Sequence, residues 1–200
     1  GAMMEPLATG VEAAKKARIE PGDTALVVGC GTIGIMVAIA ALAGGCSKVF
    51  ISDVKQEKLD IAGSYANIIP INVKKENLID FIMKETNGKG CDRVFEASGS
   101  PAVYPDFFKC TKRGGKVVLV GMMNGLVQMN VPWIQVHGLS IETLFRYTNQ
   151  FGKSVALVSA GKIDVKRLIS KTFTFDKSVE AYEYAAAGHP DVVKVMIELP

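Results

Sequence analysis

A glycine-rich turn between a predicted strand and a predicted helix is the feature that most restricts how this chain can fold. The short run Thr24–Val28, rich in apolar residues, predicts a strand, and the apolar run Ile33–Ala43 predicts a helix. Between them lies Gly29-Cys30-Gly31-Thr32-Ile33-Gly34, which has the pattern GxGxxG. A strand that passes through such a turn directly into a helix begins a βαβ unit, and the connections in such units are right-handed.

The same alternation of strands and helices continues along the chain. Further strands are predicted at Lys48–Ser52, Ile68–Ile69, Asp92–Ala97, Lys116–Val120 and Leu139–Phe145. Helices are predicted at Lys55–Tyr65, around Glu76–Glu85, and from Pro101 to Cys110 with its end at Gly114-Gly115. Strands as apolar as these are usually covered on both faces. The predicted fold is therefore α/β, a Rossmann doubly wound parallel sheet of about six strands.

Segments at both ends fall outside this unit. A helix is predicted at Glu5–Arg18, followed by a turn at Glu20–Asp23. After Phe145 the sequence predicts a helix at about Lys153–Ala160, a strand at Thr172–Phe175, a helix at Lys177–Ala187 and a strand at Val192–Leu199.

Composition excludes several classes of function. The net charge is +3 and the basic residues are scattered, so no stripe for nucleic acid is expected. The longest apolar run, Ile33–Cys46, is shorter than the roughly 20 residues that span a bilayer, so no membrane segment is expected. The chain has 4 cysteines and 2 histidines, without a spacing that would make a disulfide scaffold or a complete zinc site. Because no signal peptide is readable, a cytoplasmic location is expected.

The three glycines of the turn each have a physical task. Gly29 permits the tight turn, the missing side chain of Gly31 lets a pyrophosphate approach the backbone, and Gly34 lets helix and strand pack closely. The free N–H groups and the dipole of a helix that begins near Thr32 favour an anion. A diphosphate is therefore expected at this turn.

An acidic residue follows at the end of the second predicted strand. Asp53 can accept both ribose hydroxyls of an adenosine and would repel a 2′-phosphate, which predicts NAD over NADP. Lys58, one turn into the next helix, is placed to lie along the adenine ribose. The alternative is that Asp53 only caps the helix that begins near Lys55.

Candidate ligand-binding residues with a less specific pattern lie at the carboxyl ends of later strands, where doubly wound sheets bind ligands. Ser98 follows the fourth strand and Gly121-Met122 follow the fifth, although Ser98-Gly99 could equally form an ordinary turn. Cys30 lies within the glycine turn, but no histidine nearby in the sequence supports a nucleophile there.

Taken in order, these motifs resemble the medium-chain dehydrogenase/reductase family, and more narrowly its zinc-dependent polyol branch of sorbitol and xylitol dehydrogenases. The resemblance is carried by Glu5–Gly10, Gly29–Gly34, Asp53, Glu96–Gly99, Val118–Gly121 and Leu144-Phe145-Arg146-Tyr147. It covers essentially the whole chain after Gly1-Ala2-Met3, which looks like a tag remnant.

The resemblance implies that the chain matches only the C-terminal, cofactor-binding part of such enzymes. The family's GroES-like catalytic domain, which supplies the ligands of the catalytic zinc, is missing, so zinc is not expected in this chain. Glu5 matches an acidic position that faces the zinc in the full-length enzyme. Arg146 and Tyr147 match positions that border the pocket for the substrate and the nicotinamide. The implied cofactor contacts are Ile33, Asp53, Lys58, Gly121, Met122, Leu144, Phe145 and Arg146, which join Gly29, Gly31, Thr32, Gly34 and Ser98.

The resulting division of the chain has four parts. Residues 1–3 are the tag remnant, 4–22 the N-terminal helix and turn, 23–148 the NAD-binding Rossmann domain, and 149–200 a C-terminal segment that returns toward the missing domain. The apolar faces of the two flanking segments are expected to be exposed or paired between copies, which predicts a homo-oligomer.

The resemblance implies an NAD-dependent oxidoreductase that converts a sugar alcohol into a ketose, with xylitol to D-xylulose favoured and sorbitol to fructose next. This chain alone is expected to bind NAD(H) with little turnover. One alternative is a stand-alone, non-catalytic NAD-binding or interaction module. A methyltransferase that binds adenosylmethionine is disfavoured by the third glycine and by the Phe-Arg-Tyr segment.

Overall fold

The fold is built on a six-stranded parallel sheet, seen in a computed structural model that describes residues 1–200. Its strands are β1 (Thr24–Val28), β2 (Lys48–Asp53), β3 (Ile68–Asn72), β4 (Cys91–Glu96), β5 (Thr111–Leu119) and β6 (Ser140–Thr143). Their order is β3-β2-β1-β4-β5-β6, and every neighbouring pair is parallel. The predicted doubly wound sheet of about six strands is confirmed, and the strand order reverses between β1 and β4.

Helices cover both faces of the sheet. The helices of the chain are α1 (Met4–Ala17), α2 (Thr32–Ala43), α3 (Gln56–Gly63), α4 (Leu78–Glu85), α5 (Val131–His137), α6 (Phe151–Ser159) and α7 (Ser178–Ala186), of which α7 packs against the C-terminal strands rather than on this sheet. Alternate residues of β1 enter two different cores: Ala25 and Val27 belong to the core shared with α1 and α2, while Leu26 and Val28 belong to the core on the other face. None of the helices combines the length and the hydropathy that crossing a lipid bilayer requires.

The segment before β5 differs from the prediction. The helix expected from Pro101 to Cys110 is two short 3-10 helices, Pro101–Val103 and Phe107–Cys110. Burial of Tyr104, Phe107 and Phe108 against the sheet decides this path, because their aromatic rings pack on one another edge to face or tilted.

The two glycines expected to end that helix lie inside β5. Gly114 has φ +72°, and the pairing register between β4 and β5 shifts between Cys91 and Arg93. The glycines therefore accommodate a strand irregularity rather than a helix end. Helix α5 was not predicted, although Asn130 accepts a hydrogen bond from the Trp133 amide at 3.1 Å and so caps it.

The expectation that the N-terminal helix leaves its apolar face exposed is wrong. Leu7, Ala8, Ala13 and Ala17 are fully buried. A Cβ on Gly10 would lie 2.4 Å from the carbonyl oxygen of Met36, so α1 and α2 are in backbone contact there. Helix α1 thus belongs to the same core as the sheet.

Helix α1 is also joined to α6 by a buried polar contact. Gln150, just before α6, donates a hydrogen bond from Nε2 to Glu12 Oε2 at 2.6 Å. Both side chains are buried, so this contact fixes how the two helices meet.

The C-terminal segment does leave apolar side chains exposed, as predicted. It forms a two-stranded parallel sheet of β7 (Ile169–Thr174) and β8 (Lys194–Glu198), connected through α7. Phe175, Val179, Tyr182 and Leu199 are between 57% and 74% exposed.

Candidate functional site

The glycine turn joins β1 to α2 and lies directly against the end of β4. Gly29 has φ +104°, in the region that favours glycine, and a Cβ there would lie 2.7 Å from Ser98 Cα. A Cβ on Gly34 would lie 1.9 Å from the carbonyl oxygen of Gly29. The tight turn predicted at Gly29 and the close packing predicted at Gly34 are both confirmed.

Gly31 faces open space. A Cβ built on it would meet no protein atom within 4 Å, although its backbone is extended, with φ −78° and ψ −177°. It is the N-cap residue of α2, and no side chain caps that helix. The amide N–H groups of the first turn of α2 are therefore free to bind an anion that approaches over Gly31.

A cavity of about 680 Å³ opens at the carboxyl ends of β1, β2 and β4. Five residues predicted from the sequence line it: Gly29, Gly31, Asp53, Lys58 and Ser98. The remaining walls come from the segments that follow β2, β3 and β4, among them Val54, Val73, Asn77, Val103 and Phe107. This is the edge of a doubly wound sheet where ligands bind, at the point where the strand order reverses.

The carboxylate of Asp53 links the glycine turn to the start of α3. Its Oδ2 accepts a hydrogen bond from the Cys30 amide at 2.7 Å, and its Oδ1 accepts from the amides of Val54 at 2.7 Å and Lys55 at 3.0 Å. The bonds from Val54 and Lys55 resemble the helix-capping alternative, but the bond from Cys30 reaches across to the glycine turn. Asp53 lines the cavity, and its oxygens retain lone pairs for further hydrogen bonds.

Cys30 is buried beneath this carboxylate. Burial, together with the negative charge of Asp53, raises the pKa of its thiol to about 12, against a smaller opposing effect of Lys58. The thiol donates a hydrogen bond to the carbonyl oxygen of Lys58 at 3.3 Å. At neutral pH Cys30 is therefore a protonated, inert thiol that packs under the turn.

The other predicted site residues lie outside this cavity. Gly121 packs behind Ser98, because a Cβ on it would lie 2.4 Å from the Gly99 amide nitrogen. Ile33 and Leu144 pack against the core on the α1 and α2 face. Met122 is 75% exposed and Phe145 is 70% exposed.

Arg146 and Tyr147 follow β6, on the opposite side of β1 from Asp53. Arg146 has φ +58°, a left-handed conformation that is uncommon for a residue with a side chain. Its guanidinium lies 5.3 Å from the centre of the Phe145 ring. The structure thus brings Gly29, Gly31, Asp53, Lys58 and Ser98 together at one cavity, whereas Met122, Phe145 and Arg146 are exposed outside it.

The hydroxyl of Thr32 binds the C-terminal segment. Thr32 Oγ1 donates a hydrogen bond to the carbonyl oxygen of Val193 at 2.7 Å, and the Val193 amide donates to Ser170 Oγ at 2.8 Å. The two-stranded sheet is thereby tied to the first turn of α2. Any contact of Thr32 with an anion would use its backbone N–H.

Thr32→Val separates these two uses of the residue. The variant keeps the backbone N–H but leaves the Val193 carbonyl without its partner, so we expect the free energy of unfolding to fall by about 1 kcal/mol. NADH affinity is expected to stay within about threefold of wild type, which is less than about 0.7 kcal/mol. Urea unfolding and fluorescence titration measure the two quantities. A loss of NADH affinity without a loss of stability would contradict this assignment of the hydroxyl.

No metal site is assembled within the chain. The structure contains no group of three or more His, Cys, Asp or Glu side chains placed to hold a metal ion. Glu5, the residue matched to a zinc position, is exposed in the first turn of α1. These residues do not fit a complete zinc site by themselves.

The sequence did not predict the part of the cavity wall that follows β3, nor the part beyond Ser98 that contains Val103 and Phe107. Val73 comes directly after β3 and Asn77 caps the helix that follows, so the rule that ligands bind at strand carboxyl ends could have pointed to this segment. Val103 and Phe107 gave no such signal, because their segment was predicted as one helix.

Comparison with known proteins defines the class of protein. Residues 32–160 match the family model of zinc-binding dehydrogenases, and the chain belongs to that family. The resemblance to medium-chain dehydrogenases predicted this membership.

Individual relatives within this family narrow the comparison to particular enzymes. The chain is 43% identical over 187 residues to the D-xylulose reductase of Morganella morganii, and the aligned region covers 93% of this chain and 55% of that protein. It is 29% identical over 197 residues to the sorbitol dehydrogenase of Bacillus subtilis, with coverage of 98% and 56%. The crystal structure of 2R,3R-butanediol dehydrogenase from Bacillus subtilis superposes with a TM-score of 0.92 at 25% identity, over 99% of this chain and 57% of that one. The chain thus spans a little over half the length of these relatives.

Proposed function

We propose that this chain binds NAD(H) across the glycine turn and is the cofactor-binding part of a polyol dehydrogenase. The observation that carries the proposal is the open space over Gly31, which leads to the uncapped start of α2 and lies on the same cavity as Asp53. An anion and a ribose placed on these two features would be joined as they are in an adenine dinucleotide.

In this proposal the chain's residues bind and orient the cofactor. The first-turn amides of α2 hold the diphosphate, Asp53 accepts hydrogen bonds from the adenosine ribose, and Lys58 and Ser98 line the same cavity. The bound dinucleotide would supply the site that accepts or donates a hydride. Because hydride transfer needs close contact between the reacting carbons, holding the dinucleotide in one position is the contribution of this chain.

The nicotinamide and substrate end is proposed at the open surface beyond β5 and β6. Arg146 and Tyr147 are proposed to border the substrate, with Gly121, Met122, Leu144 and Phe145 near the nicotinamide. Ile33, in the first turn of α2, is proposed as a further cofactor contact. This surface is exposed on one side, which agrees with a site completed by protein outside the 200 residues. Glu5 is proposed to face the catalytic zinc only in a longer protein.

The substrate class rests on the relatives. Their names refer to D-xylulose and sorbitol, so we propose oxidation of a sugar alcohol to a ketose, with xylitol to D-xylulose favoured and sorbitol to fructose next. The exposed apolar residues of the C-terminal segment support a proposed homo-oligomer or a contact with the rest of a longer enzyme.

Paired titrations test the proposal on the wild-type chain. We expect saturable NADH binding at least about tenfold tighter than NADPH binding, which is about 1.4 kcal/mol. We also expect no EDTA-sensitive oxidation of xylitol, because the chain does not assemble a zinc site. Fluorescence of the reduced cofactors reports binding, and NADH formation reports turnover. Absence of saturable NADH binding would refute the cofactor role, and robust EDTA-sensitive turnover would refute the division of labour.

A further inference from the structure

A buried carboxylate lies behind the wall of the cavity. Glu96 is the last residue of β4, the strand next to β1, and its side chain is 0% exposed. The chemistry proposed for the site makes no use of this charge. Burying a carboxylate is costly unless hydrogen bonds compensate it, so its contacts show what it stabilises.

One oxygen of Glu96 organises the turn that follows β4. Its Oε1 accepts hydrogen bonds from the Ser98 amide at 2.8 Å, the Ser98 hydroxyl at 2.5 Å and the Gly99 amide at 3.0 Å. Three donors from two consecutive residues therefore converge on one atom. Ser98 is exposed and lines the cavity, so this atom fixes part of the cavity wall from behind.

Turns from three neighbouring strands meet at this residue. The Glu96 carbonyl accepts hydrogen bonds from the amides of Val120 and Gly121, both at 2.8 Å. A Cβ on Gly121 would lie 2.5 Å from Glu96 Oε2, and a Cβ on Gly29 would lie 2.7 Å from Ser98 Cα. The turn after β4 is thus held between the glycine turn after β1 and the turn after β5.

The second oxygen of Glu96 has no hydrogen-bond partner, and neither has the buried hydroxyl of Tyr104, whose pKa responds to the charge of Glu96. Tyr104 is 1% exposed. Burial and the negative charge of Glu96 raise the pKa of Tyr104 to about 12, so the phenol stays protonated at neutral pH. The hydrogen-bond donors to Glu96 are therefore the Ser98 amide, the Ser98 hydroxyl and the Gly99 amide, all on Oε1. The Tyr104 hydroxyl is neutral and is not among them.

We propose that Glu96 is a positioning residue for dinucleotide binding, which acts by holding the Ser98-Gly99 turn against Gly29 so that the cavity keeps its width beside the start of α2. The inference rests on the proposed NAD(H) binding. Without the carboxylate, three donors lose their acceptor and the turn can move toward the space over Gly31. The effect reaches the cofactor through Ser98 and Gly99, because Glu96 itself is buried behind them.

Two substitutions at Glu96 are expected to have different effects on NADH affinity. Glu96→Ala removes the acceptor, and we expect NADH binding to weaken at least about tenfold. Glu96→Gln keeps an oxygen for the same three donors and places an NH₂ group in the position of Oε2, so we expect NADH affinity within about threefold of wild type. Glu183→Ala, on the exposed surface of α7, is the matched control and should bind NADH as wild type does.

The measurement is the Kd for NADH, taken well below the unfolding temperature of each variant. A purely structural Glu96 would lower the unfolding temperature of the alanine variant without changing its Kd in the folded state, and that result would overturn the inference. Equal loss in the Gln and Ala variants would also overturn it. Wild type that binds no NADH would refute the proposed function, and this inference with it.

Hydrogen exchange on the wild-type chain gives a test that does not depend on the fold of a variant. Ser98 is exposed, yet its amide and that of Gly99 donate to a buried carboxylate. We expect both amide hydrogens to exchange at least about 100-fold more slowly than in an unstructured peptide, with or without NADH. Exchange at unprotected rates would overturn the inference.

Discussion

Gly31→Ala is expected to weaken NADH binding about 100-fold or more, or roughly 2.8 kcal/mol, in a protein that folds normally. The added methyl group meets no protein atom within 4 Å, and the extended backbone of Gly31 suits alanine. Stability should therefore change by no more than about 1 kcal/mol, the usual scale of an N-cap substitution. The methyl group would instead occupy the space over the start of α2, where the diphosphate is proposed to lie. Fluorescence titration and urea unfolding measure the two effects.

Two other glycines provide matched controls. A Cβ on Gly152, in α6, also meets nothing within 4 Å, so Gly152→Ala should leave NADH affinity unchanged and stabilise the fold by at most about 1 kcal/mol. Gly34→Ala should disrupt the fold, because its Cβ would lie 1.9 Å from the Gly29 carbonyl oxygen. If Gly31→Ala binds NADH as tightly as Gly152→Ala does, the diphosphate does not lie over this turn.

Asp53→Ala is expected to weaken NADH binding at least about tenfold and to remove the preference for NADH over NADPH. The carboxylate is proposed to accept the ribose hydroxyls, and its charge would repel a 2′-phosphate. The same substitution removes the acceptor for the amides of Cys30, Val54 and Lys55, so stability should also fall, by roughly 1–3 kcal/mol. Paired NADH and NADPH titrations, done where the variant is folded, isolate the effect on binding.

Asp53→Asn separates the effect of the charge from that of the hydrogen bonds, and Asp60→Ala is the control. Asparagine keeps one oxygen acceptor but no charge, so it should retain more stability than alanine while still losing the discrimination against NADPH. Asp60 is exposed in α3, and its removal should leave both affinities unchanged. If Asp53→Ala keeps wild-type affinity and preference, the role of Asp53 is confined to the turns before α2 and α3.

Much of the sheet could be predicted because its strands carry local signals. The runs around Val27, Ile51 and Val117 are apolar and bounded by turns or glycines, and α2 follows directly from the glycine turn. The first half of β5 could not be predicted in this way. Residues 111–115 contain two glycines and two basic residues, and only Thr111 among them pairs in register with β4, so no local β-pattern marks this part of the strand.

The residues of the site also differ in whether a local sequence pattern marks them. Gly29, Gly31, Gly34 and Asp53 were predicted because each has a backbone or charge requirement that the sequence displays. The wall formed by Val103 and Phe107 depends on how a cluster of buried aromatic rings packs, which no local pattern reveals. The burial of α1 was also mispredicted, because the close contact between Gly10 and Met36 joins residues far apart in the sequence.

A crystal structure of this chain with NADH is the most direct test of the central claim. We expect the diphosphate to lie over Gly31 on the first-turn amides of α2, with the adenosine ribose hydrogen-bonded to Asp53 in the cavity at the ends of β1, β2 and β4. A dinucleotide bound elsewhere, or an Asp53 carboxylate turned away from the ribose, would contradict this claim.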